Sequence, residues 1–124
     1  MRGLLAVVAD VGLVLVFVII GRHAHHVSGG FAGLVSTAWP FLTGLAIGEL
    51  AARSWRRPAA ITPTGVIVWL STVAGGMTLR VLAGQGTALA FIAVALAFLG
   101  LFLLGWRFAV RVLPVIAGRV IAGR

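Results

Sequence analysis

Only two acids occur in this chain, Asp10 and Glu49, and Asp10 falls inside an otherwise apolar run. A carboxyl group placed in hydrocarbon costs ~2.5–3.5 kcal/mol on insertion scales, so it is expected to face a partner or a cavity. At the rise of a helix Asp10 lies ~10 Å from the near end of its segment, level with Leu45, Thr72 and Gly100. Side chains lean toward the N-terminus of their helix. Asp10 therefore leans toward one end of the chain's bundle, and Arg107, on a helix running the other way, leans back toward it. Two chemistries fit this placement. In one, Asp10 is structural, paired with Arg107 or hydrogen-bonded to Thr72. In the other, Asp10 takes up and releases a proton, or binds a cation, along a path through the membrane.

A second candidate group lies near the opposite end. Arg22 and Arg80 close two apolar runs there, and Pro40 removes the hydrogen bond that the Ser36 carbonyl would accept in an uninterrupted helix. Arg22, Arg80, Ser36 and Trp39 can thus line an outer pocket for an anionic or polar ligand. The plainer reading is that the two arginines complement helix dipoles and reach lipid headgroups. His23, His25 and His26 are weak metal or haem candidates, because they share one short stretch with no facing histidine or acid at that depth. They read instead as a solvated, pH-sensitive loop. Glu49 has Arg53 four residues on, the favourable order for an intrahelical surface pair. No nucleophile with a neighbouring base and no phosphate-cradling glycine loop is found, so an enzyme is not expected and no cofactor is predicted.

These residues need elements to hold them. Of the 124 residues 61% are hydrophobic and 10% charged, too little polar surface to coat a soluble globule. Four apolar runs, 4–21, 31–52, 64–83 and 87–106, each approach the ~20 residues that cross ~30 Å of hydrocarbon. Backbone polar groups in lipid must be satisfied within each segment, so the runs should be helices. The expected fold is an all-α membrane protein, a four-transmembrane-helix bundle of two helical hairpins. Residues 1–108 would form it, and 109–124 a basic cytoplasmic tail, lying on the membrane surface or disordered. Thr62 and Pro63 read as the N-cap and first-turn proline of the third helix, and Gly84-Gln85-Gly86 as a tight turn into the fourth. Trp55 and Trp106 read as interfacial belt residues, Trp39 and Trp69 as core. Small residues mark the expected packing faces: Gly44 and Gly48 on the second helix, Gly65 and Gly76 beside Trp69 and Thr72 on the third, Ala90, Ala93, Ala97 and Gly100 on the fourth.

All ten basic side chains are arginine, and the formal net charge is +8. Eight arginines fall on one side of the four spans and two, Arg22 and Arg80, on the other. The positive-inside rule places both termini in the cytoplasm of a multi-pass protein of the cell membrane. The expected partners are the bilayer and its anionic headgroups, since the arginines cluster at span ends and form no stripe for nucleic acid. Without cysteine there is neither a disulfide nor a thiolate metal site.

Several short motifs combine: Gly21-Arg22-His23 after an acid-bearing first helix, Thr37-Ala38-Trp39-Pro40-Phe41, Pro63-Thr64-Gly65 with Val68-Trp69, Gly75-Gly76-Met77-Thr78-Leu79-Arg80, and Gly105-Trp106-Arg107. As a set, over roughly residues 7–108, the chain resembles a domain-of-unknown-function family of small four-helix membrane proteins from actinobacteria and haloarchaea. The resemblance implies topology and supplies no mechanism. The functional expectation is a homo-oligomer that binds or moves a small polar solute, a proton or an ion. The rival expectation is a non-catalytic accessory subunit of a larger membrane complex. Haem or quinone binding near the histidines is the weaker third.

Overall fold

A computed structural model describes residues 2–24 and 30–123. Among these residues the fold is all-α. Helix α1 spans Arg2–Ala24, α2 Gly30–Ala52, α3 Val66–Leu82 and α4 Leu89–Ala122, with one wide π-helical turn, Ile61–Gly65, leading into α3. Helices α1, α2 and α4, and α3 together with that turn, are long and apolar enough to cross a membrane. Side-chain contacts show neighbours running antiparallel: Gly44 and Gly48 meet Ser71 and Val68, Trp69 meets Leu96, and Asp10 meets Arg107. The core between them is built from Val14, Phe17, Phe41, Leu45, Val68, Leu99 and Leu103. Phe17 packs edge-on against Phe41 at 5.5 Å between ring centroids, a favourable aromatic arrangement.

The α2–α3 seam follows the small residues, as expected where lipid removes the hydrophobic drive between helices and close approach must replace it. A Cβ on Gly44 would sit 2.9 Å from the Ser71 and Thr72 carbonyl oxygens, and one on Gly75 2.9 Å from the Gly44 Cα. Ser71 Oγ uses this proximity to donate to the Gly44 carbonyl at 3.0 Å.

Three sequence expectations change. Ala90, Ala93 and Ala97 are exposed, while Ala95, Leu99 and Leu103 face inward with Gly100. The reason lies on α3: the Trp69 indole donates to the Leu96 carbonyl at 2.9 Å and covers Gly100, which rotates α4 so that its larger residues pack inward. Thr62 makes no side-chain cap. Its backbone is extended, φ −121° and ψ 129°, the conformation imposed on a residue before proline. And α4 does not stop near residue 106. It continues as helix through 109–122, although Pro114 lies inside it. Proline there deprives only the Val110 carbonyl of its usual donor, on a stretch where Val110 is already exposed. The 34-residue helix reaches ~51 Å, well beyond the ~30 Å hydrocarbon layer. Residues 113–123 are all exposed.

Candidate functional site

The Asp10 end of the bundle holds three buried charged side chains on three helices. Asp10 and Arg107 are each 0% exposed and form a two-pronged pair: Arg107 Nη2 donates to Asp10 Oδ2 at 2.7 Å, and Nη1 to Oδ1 at 3.0 Å. The fork geometry of guanidinium matches a carboxylate in this way. Arg107 also donates through Nη1 to the Leu103 carbonyl at 2.8 Å and through Nε to Pro58 O at 2.9 Å, which ties the α2–α3 loop to the pair. Trp106 Nε1 gives Asp10 Oδ1 a further bond of 2.8 Å, and the Arg107 guanidinium lies 4.5 Å from that indole. Taking two charges out of water is repaid only when nearly every polar atom is matched, and here it is.

Glu49 is different. It is 7% exposed and lies beside the Asp10 and Ser54 side chains, yet neither carboxylate oxygen has a hydrogen-bond partner in good geometry. The expected surface pair with Arg53 does not form. Arg53 is exposed and adopts φ 50°, one residue beyond α2, where Ser54 N–H closes onto the Glu49 carbonyl at 3.1 Å. A left-handed residue at this position ends the helix, so residues 49 and 53 no longer stack one turn apart. Glu49 instead turns inward, within electrostatic reach of Asp10, Ser54 and Arg107. It also lines a cleft of about 700 Å³ between α1 and α2, walled by Val7, Val11, Leu42 and Leu45 with Trp55 at one edge. Two acids thus stand near one arginine, and Arg107 balances only Asp10.

At the other end Arg22, Arg80, Ser36 and Thr37 line a second cavity of about 650 Å³ with Phe17, Phe41 and Phe91. Arg22 donates to Thr37 Oγ1 at 2.7 Å. Arg80 grips the α3–α4 turn, donating to Gly86 O at 2.7 and 2.9 Å and to Gln85 Oε1 at 2.9 Å, with Phe91 4.6 Å from its guanidinium carbon. Gly84, at φ 76°, makes the tight turn possible. Gln85 Nε2 in turn donates to the Ser36 carbonyl at 3.0 Å, the group that Pro40 leaves without its helical donor.

A family described as a protein of unknown function, DUF3054, matches residues 7–110. The chain belongs to the DUF3054 family. No curated protein and no solved structure matches it. The matched stretch of this DUF3054 chain takes in both polar ends of the bundle and stops just short of the exposed part of α4.

Of the residues singled out from sequence, Asp10 and Arg107 meet, whereas Thr72 bonds backward to the Val68 carbonyl at 2.7 Å and leaves Asp10 alone. Arg22, Arg80 and Ser36 share the outer cavity; Trp39, 39% exposed, is not among its lining residues or in the core. His23 is exposed in the last turn of α1, and His25 and His26 lie outside the described residues. Among the described residues no three His, Cys, Asp or Glu side chains come together as a metal site. Sequence reasoning missed three participants. Local spacing puts Glu49 at the surface, Trp106 in the interfacial belt, and Gln85 in a turn with no chemical part. A signal for Gln85 existed in the orphaned Ser36 carbonyl, which needs a donor at that depth.

Proposed function

We propose that this protein is a non-catalytic, homo-oligomeric component of the cell membrane, with both termini cytoplasmic, that binds or moves a proton or small cation through Glu49. The observation that carries this reading is the pair of buried Glu49 oxygens without a partner. Asp10 and Arg107 neutralise each other, so a cation must balance Glu49 in a medium where an isolated charge is costly. Asp10 thereby becomes the group that positions Arg107, and Glu49 the group that exchanges. Four helices enclose little volume alone, and a continuous path would form between copies. Arg22 and Arg80 form the polar layer at the outer side, and the cytoplasmic arginines meet anionic headgroups.

Proton uptake into liposomes, driven by a potassium diffusion potential and read with an internal pH dye, tests the reading. Flux is expected for the native chain and absent for Glu49→Gln. Flux that persists in Glu49→Gln, or is missing from well-assembled native protein for protons and alkali cations alike, rejects it.

One observation favours a second reading, an accessory subunit of a larger membrane complex: residues 113–122 of α4 are helical, apolar for the most part, and exposed. Co-purification of a second membrane protein after mild detergent extraction, abolished by truncation after residue 112, is the result that this reading requires.

A further inference from the structure

The cleft beside Glu49 is apolar along its length and charged at one point. Val7 and Val11 of α1 face Leu42 and Leu45 of α2 across it, and Glu49 with Ser54 supplies its polar end. Leu42 lies seven helical steps before Glu49, so the apolar part extends ~10 Å from the carboxylate. Trp55, 56% exposed, stands at the same end as Glu49 and adjoins Gly3 of α1, whose added Cβ would lie 3.2 Å from the Trp55 Cα. The charged and polar groups facing Glu49 are Asp10 from α1, Arg107 from α4 and Ser54 from the loop. Arg107 is already committed to Asp10.

We infer that the α1–α2 cleft is a binding site for a hydrophobic organic cation, whose positive charge takes the place of the proton on Glu49. The inference rests on Glu49 being the cation-accepting group proposed above, and it adds the substrate class. Three features select such a molecule. A hydrated metal ion needs several oxygen ligands, and the cleft offers only the Glu49 carboxylate and one hydroxyl near it. An acyl chain would fill the apolar walls and leave the carboxyl group without a partner. A cation whose charge is spread over an apolar body loses little hydration on entry, satisfies Glu49, and can place a charged face on the Trp55 indole. Entry of the cation releases the carboxyl proton, so binding and proton transfer are two uses of one oxygen pair.

The test is equilibrium binding of radiolabelled tetraphenylphosphonium to the full-length protein in lipid nanodiscs, alongside the liposome proton assay. Saturable binding is expected, weakened at least tenfold by Glu49→Gln and by Ala46→Phe, which places a ring in the cleft from its α2 wall. One proton is expected to leave per cation bound, read with a pH dye in weak buffer. Binding that Glu49→Gln leaves unchanged overturns the inference, as does equal binding of the tetraphenylborate anion, which would show that greasiness and not charge selects the ligand. Glu49-dependent proton flux without saturable tetraphenylphosphonium binding overturns this inference alone and leaves the proposed function standing. Loss of both removes both.

Discussion

At the Asp10 end of the bundle a fully buried guanidinium is held by a carboxylate, an indole and two carbonyls, whereas at the opposite end two partly buried guanidiniums use neutral acceptors, a threonine hydroxyl, a glutamine and a turn carbonyl. The difference follows depth. Away from water an arginine requires a formal counter-charge, and the second acid that shares Arg107 is then left over. Near the surface, water and headgroups supply what neutral acceptors do not, and no acid is needed. One end therefore has a buried acid that Arg107 does not balance, and the other has polarity without an acid.

The largest break in this comparison is expected from Arg107→Met, which leaves Asp10 and Glu49 as two unpaired buried acids. A loss of about 3–5 kcal/mol is expected, seen as a collapse of the folded fraction in detergent. The double variant Asp10→Ala/Arg107→Met should recover much of it; if the double is as damaged as the single, the pair is not the source of the loss. Glu49→Gln is expected to act in the opposite direction, raising stability by about 1–2 kcal/mol because a buried carboxyl that must hold a proton or another cation becomes an amide that needs neither. A lowered thermal midpoint for this variant would place a hidden partner on Glu49. At the far end Gln85→Ala should cost about 1 kcal/mol by stripping both the Ser36 carbonyl and Arg80 of a partner. Faster amide exchange at the α3–α4 turn, with the Asp10 end unaffected, is the accompanying signature. Smallest is Arg53→Gly, expected to gain about 0.5 kcal/mol by relieving the left-handed backbone at the end of α2. A thermal scan detects it, and a loss of stability would mean that the Arg53 side chain holds the loop.

Much of the fold was legible because lipid leaves the backbone few options, so four apolar runs of spanning length become four helices. The Asp10–Arg107 pair was legible for a related reason. Side-chain lean in helices is a local rule, and it correctly aimed both residues at each other. Glu49 was misread by an equally local rule, the i, i+4 pair, which presumes that the helix continues to Arg53. It ends one residue earlier, and the inward turn of Glu49 goes with that ending. The α4 face was misread because small residues recur throughout the chain, and only the Trp69 indole, sitting on Gly100, selects which of them is buried.

Composition and apolar length by themselves determined the number of spans, their helical state and the depth of Asp10, since each follows from the thickness of hydrocarbon and the rise of a helix. Only the tertiary structure decided that Asp10 is already neutralised and that Glu49 is not. That decision depends on three helices delivering one guanidinium to one of two acids, a geometry that no spacing along the chain encodes.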